Sequence, residues 1–158
     1  MRHIKSLLLI SGPYDLVKLI PHFDRRGLHL PMLEAIMGGR DVLPTVSPTM
    51  LVKTKEFQAP DLVRRVPPIF LFHGTADLSV PCHIAEEFYD ALKTAGYRVQ
   101  MKLYEGKSHT DPIIEDLLYA DEVGRYPRRR HELLLRLADP LSAMDLYHPF
   151  SRSWSRTT

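Results

Sequence analysis

At 158 residues, 44% hydrophobic and 25% charged, the chain has the composition of one globular domain with its own core. A formal charge of +2 argues against a dedicated nucleic-acid binder, and the single cysteine, Cys82, excludes an internal disulfide framework. No apolar run approaches the ~20 residues of a spanning helix, and the start "MRHIKSLLLISGP" makes a poor signal peptide, so a soluble or membrane-peripheral chain is expected.

"KSLLLI" at 5–10 reads as a buried strand, broken by "SGPYD". Residues 14–23 read as a short helix or broken turn, with Pro21 ending regular hydrogen bonding. "LHLPMLEAIMGG" at 28–39 predicts a helix with Pro31 in its first turn and a stop at Gly38 and Gly39. Residues 41–60 are expected to be an irregular connection, interrupted by Pro44, Pro48 and Pro60.

"PPIFLFHG" at 67–74 is apolar throughout, as a central parallel strand should be. In "PCHIAEEFYDALKTAG" at 81–96, Ile84, Phe88, Leu92 and Ala95 share one helical face and Gly96 supplies the stop. "YRVQMKLYEG" at 97–106 predicts a strand with Val99, Met101 and Leu103 pointing one way. A last helix is drawn through 127–139, with Leu133, Leu134 and Leu137 as its stripe, and 140–158 is expected to be a loosely ordered tail. The class is therefore α/β, a mostly parallel sheet with helices on both faces, with 1–139 as a partial domain. Its first strand has nothing before it, so the chain reads as starting inside a domain.

In open α/β sheets the site lies beyond the carboxyl ends of the strands, and two loops there carry chemistry: "HGTADLSVP" at 73–81 and "GKSHTD" at 106–111. Acyl transfer needs a base that takes and returns a proton near neutral pH, which imidazole does, and a carboxylate to fix its tautomer. Asp77 and His109 have those identities and stand one βαβ crossover apart, with the acid before the base. Taken singly, Asp77 also reads as a turn or N-cap residue and His109 as a surface histidine. His73 is expected to order its loop. The histidine spacings form no compact metal motif, and no cofactor is implied.

A nucleophile is missing. No G-x-S-x-G and no HGGG-type oxyanion motif occurs. Ser11 follows a strand but lacks the flanking glycines. Ser47, Ser79 and Ser108 have ordinary turn neighbours. Cys82 opens a helix, where a thiolate is favoured, but has no partnered base.

The stretches "SGPYDLVKLIPHFDRRGLH", "PPIFLFHGTADLSVP" and "LYEGKSHTDPIIED" resemble the carboxy-terminal half of isoprenylcysteine methylesterases, within the α/β-hydrolases, mainly over residues 7–118. The resemblance implies a serine triad with Asp77 as acid and His109 as base. It implies a substrate pocket bordered by Ser11, Gly12 and Tyr14. The implied substrate is the methyl ester of a prenylated C-terminal cysteine, at endoplasmic reticulum and Golgi membranes. In that family the oxyanion motif and the G-x-S-x-G elbow lie upstream of the matching region. The insertion "LLYADEVGRYPRR" and the tail after Asp139 depart from its pattern. Three other readings stay open: a kynurenine-formamidase-like amidase, an inactive fragment or pseudoenzyme, and a non-catalytic binding module. The chain by itself is expected to lack esterase activity, and its sheet, short of neighbours, to self-associate.

Overall fold

The apolar run at the chain's centre forms β2 (Ile69–Gly74), every residue of which is buried. In the computed structural model, which describes residues 4–112, β2 lies between β1 (Leu7–Ile10) and β3 (Val99–Tyr104) in a parallel three-stranded sheet of order β1-β2-β3. These residues all belong to one compact unit, Met1–Glu115. The expected helix at 127–139, the boundary at 139 and the tail at 140–158 lie outside the described residues.

Register decides which side chains meet. Leu7, Ile69 and Val99 align across the three strands, as do Leu9, Leu71 and Met101. Both rows pack into one core cluster with Ile84, Ala85, Phe88 and Leu92 of α6 (Cys82–Thr94). Full burial of such a side chain stabilises by about 1.5–3 kcal/mol. Phe70 and Phe72 alternate to the opposite face and are also buried, so both faces of β2 are covered, as in α/β-hydrolases. The helix at 82–94 has the predicted buried stripe, and Gly96 at φ 86° allows the chain to turn into β3.

The prolines act differently from expectation. Pro21 lies inside α1 (Leu16–Arg25), which runs on to Arg25. The missing N–H removes one intrahelical bond, and packing holds the helix across the gap: Leu19, just before it, is wholly buried in the core. The segment 41–60 is mostly short helices, not an irregular connection. A 3₁₀ turn (Arg40–Val42) leads into α3 (Leu43–Val46) and α4 (Pro48–Val52), and α5 (Pro60–Arg65) was not anticipated. Pro44, Pro48 and Pro60 stand in the first turns of these helices, where a proline's absent N–H has no intrahelical partner to lose. The helix α2 (Leu30–Met37) matches expectation, with Pro31 in its first turn and Gly38 at φ 90° as its stop.

The turn from β1 into α1 is held by buried polar groups. Asp15 caps α1, its Oδ1 accepting from Lys18 N at 3.0 Å. Ser47 is wholly buried; its Oγ accepts from Leu16 N at 3.0 Å and donates to Leu43 O at 2.7 Å. Thr49 N donates to Tyr14 O at 2.9 Å. Because Ser47→Ala leaves a buried N–H and a buried carbonyl without this hydroxyl, it should destabilise by about 1–3 kcal/mol. Urea unfolding followed by circular dichroism checks this; an unchanged midpoint would show that Ser47 does not hold the turn.

Candidate active site

The loops after β2 and β3 approach each other because the strands are neighbours. Thr75 N donates to Tyr104 O at 2.9 Å and Ala76 N to Lys107 O at 3.0 Å. Gly106 N donates to Thr75 Oγ1 at 2.9 Å. At Gly74 the backbones approach so closely that an added Cβ would lie 2.2 Å from Lys107 O and 2.7 Å from Ser108 O. Only glycine fits there without moving main-chain atoms.

Within this frame Asp77 divides its two oxygens. Oδ1 accepts from Ser79 N at 2.8 Å and Val80 N at 2.9 Å, which fixes the turn before α6. Oδ2 lies 2.7 Å from His109 Nδ1, across 32 residues of sequence. The turn-forming role and the histidine-facing role therefore coexist in one side chain, a carboxyl with no exposed area. A carboxylate only accepts, so Nδ1 of His109 carries a proton, and in the neutral imidazole the lone pair is then on Nε2. The His109 side chain is 38% exposed, open enough to meet a substrate.

His73 orders the same loop. It is wholly buried, and its Nε2 lies 2.8 Å from Val80 O and 3.1 Å from Asp77 Oδ2. Both neighbours accept, so Nε2 is protonated and its N–H is forked between them. Two imidazoles thus orient one carboxylate. The carbonyl of Leu78 accepts from Arg26, and His22 Nε2 lies 2.9 Å from it, which joins α1 to the acid loop.

The residues expected at the pocket border each make a defined contact. Ser11, buried and at φ 50°, donates its Oγ–H to the main-chain carbonyl of His109 at 3.0 Å. Gly12 lies under the Tyr14 ring, where a Cβ would meet ring carbons at 2.6 Å. Tyr14 is 6% exposed and its ring stacks on Phe88 at 4.4 Å, so it belongs to the core. Burial pushes the Tyr14 hydroxyl up to about 12, against a smaller opposing effect of the Gly12 backbone beside it. Asp111, which was not singled out beforehand, is buried and accepts from Ser108 N at 2.6 Å and Ser108 Oγ at 2.7 Å. The spacing "SHTD" was the available signal, a hydroxyl residue three positions before an aspartate.

Among the described residues, Ser11 and Ser47 bond main-chain carbonyls and Ser108 bonds Asp111, so none of these three hydroxyls is handed to the imidazole. Cys82 is unpaired, and its thiol is raised by burial and then by the negative charges of Glu86, Asp77 and Glu105. These effects outweigh the helix N-terminus that favours a thiolate in the sequence alone. Iodoacetamide at pH 7 should therefore alkylate Cys82 more slowly than a free cysteine. Equal or faster modification, measured by mass spectrometry, would contradict this.

Sequence comparison finds relatives among the plant methylesterases. "Probable isoprenylcysteine alpha-carbonyl methylesterase ICMEL1" of Oryza sativa subsp. japonica is 43% identical over 115 residues, covering 73% of this chain and 27% of the relative. "Isoprenylcysteine alpha-carbonyl methylesterase ICME" of Arabidopsis thaliana is 39% identical over 115 residues, covering 73% and 26%. The chain thus spans about a quarter of the length of the curated relatives it matches. Among solved structures, the apo form of Thermogutta terrifontis esterase 2 aligns with 84% of this chain and 42% of that one, at 25% identity and a TM-score of 0.49. Residues 44–132 match the prolyl oligopeptidase family, and the chain belongs to that family, as a relative of the isoprenylcysteine methylesterases.

Proposed function

We propose that this chain carries the acid and base of a serine carboxylesterase that removes the methyl ester from a C-terminal S-isoprenylcysteine. The observation that carries the proposal is the 2.7 Å contact of Asp77 Oδ2 with His109 Nδ1, the other carboxylate oxygen being held by two backbone N–H groups. The similarity to methylesterases supports the choice of substrate. The sequence carries no G-x-S-x-G or HGGG-type motif, so the proposal has a separate segment supply the nucleophile and oxyanion donors, and the chain alone is expected not to hydrolyse esters. The family resemblance alone supports endoplasmic reticulum and Golgi membranes as the proposed location. Among the described residues no helix is long and apolar enough to cross a membrane.

In the reaction His109 Nε2 takes the proton of the attacking serine as its oxygen bonds to the ester carbonyl. The imidazolium is stabilised by Asp77 and gives that proton to the departing methoxide, which leaves as methanol. Water then attacks the acyl-enzyme while His109 accepts its proton. The imidazolium finally protonates the serine oxygen as the prenylcysteine carboxylate departs. Asp77 keeps His109 in the tautomer this cycle requires, and His73 N–H keeps Asp77 from turning away.

The test is a fusion of the amino-terminal part of the Arabidopsis thaliana relative to this chain. The fusion should release methanol from a farnesylcysteine methyl ester, and the chain alone should not. Faster hydrolysis of N-formylkynurenine by the fusion would select an amidase instead.

A further inference from the structure

Ser11 combines three features that its sequence neighbourhood does not explain. It stands directly after β1, and its N–H extends the ladder by donating to Phe72 O at 2.9 Å. Its φ is 50°, the left-handed region, where a side chain costs energy that glycine avoids. Its Oγ donates to His109 O at 3.0 Å, across 98 residues of sequence. A glycine would suit the backbone better, so the serine is explained by what its hydroxyl does.

The geometry of the three strands shows what that is. β1 and β3 flank β2 on opposite sides, and the base loop follows β3. Ser11 reaches over the end of β2 and ties the end of β1 to that loop. Other bonds hold the loop on either side of the base: Gly106 to Thr75, Lys107 to Ala76, and Ser108 to Asp111. The Ser11 bond falls on His109 itself.

We propose that Ser11 is a positioning residue for the general base. Its hydroxyl fixes the main chain of His109, and so keeps Nδ1 on Asp77 and Nε2 directed to the reacting ester. The proposal rests on His109 being the base, and adds the group that aims it. The hydroxyl proton is spent on a carbonyl, so Ser11 takes no part as nucleophile.

The test reads the imidazole directly and needs no turnover. In the ¹⁵N-labelled chain, His109 should show a protonated Nδ1, an unprotonated Nε2 and slow exchange of the Nδ1 proton. Ser11→Gly removes the hydroxyl while relieving the backbone, so the urea midpoint should be kept or raised. In that variant the Nδ1 proton should exchange about 5- to 10-fold faster, as expected for losing one hydrogen bond near the group. The His73 and His22 signals should stay unchanged. Ser11→Asn, a residue that tolerates the left-handed region and restores a donor, should bring exchange back to within about twofold of the original. If Ser11→Gly folds and leaves His109 exchange unchanged, the positioning role is wrong. If all three imidazoles change in step with a fallen midpoint, Ser11 is merely structural and the proposal is likewise overturned. A parent chain with His109 protonated on Nε2 would instead sink the pairing of acid and base itself.

Discussion

Replacing His109 with alanine should lower kcat of the fused esterase by about 10⁴-fold or more, with little change in folding. Triad members act as a unit, so loss of the base strands the serine as a neutral hydroxyl. The fold should tolerate the change because the side chain is 38% exposed and its described polar partner is Asp77, which keeps His73 and two backbone donors. Asp77→Asn should approach the same loss by a different route. An amide at that position can offer its N–H to the imidazole, so the tautomer with Nδ1 protonated is no longer enforced. Initial rates of methanol release at saturating ester measure both. Either variant keeping a tenth or more of the parent kcat would remove its residue from the mechanism.

The largest effect on folding is expected from Gly74→Ala. The new Cβ would lie 2.2 Å from Lys107 O, 2.7 Å from Lys107 C and 2.7 Å from Ser108 O. These are backbone atoms, and Lys107 O also accepts from Ala76 N, so the contact cannot be relieved by turning a side chain. Overpacking of this kind costs about 1–3 kcal/mol or more. With a typical urea dependence for a small domain, the midpoint should fall by about 1 M or more. The base loop would shift just before His109, so the Asp77–His109 contact should lengthen as well. Wild-type stability in this variant would mean that the two loops do not approach as described.

Much of the framework is legible in local pattern. The run "IFLF" is apolar on both faces, and β2 is accordingly buried on both. The stripe of Ile84, Phe88 and Leu92 marks α6, and all three are buried. Prolines carry no such local signal. A proline ends a helix, starts one or sits inside one, depending on where the first turn falls, and that is set by packing partners absent from the sequence. Leu19, buried in the core, keeps α1 intact past Pro21, and Pro44, Pro48 and Pro60 each sit in the first turn of a short helix. Tyr14 shows the same limit: its stacking on Phe88, 74 residues away, is not written in its neighbours.

For this protein, the sequence by itself determined the strand and helix periodicities and the glycine stops, and it singled out Asp77 and His109 as the pair to examine. Each of these is written in residue types a few positions apart, where chain geometry alone relates them. Only the tertiary structure decided which oxygen of Asp77 holds the turn and which meets Nδ1 of His109. It also decided that His73 shares that carboxylate, that Gly74 lies against Lys107, and that the Ser11 hydroxyl ends on the His109 carbonyl. A hydrogen bond requires its partners within about 3 Å and aligned. Between residues 98 apart, that condition is met only once parallel pairing has set the register of β1, β2 and β3.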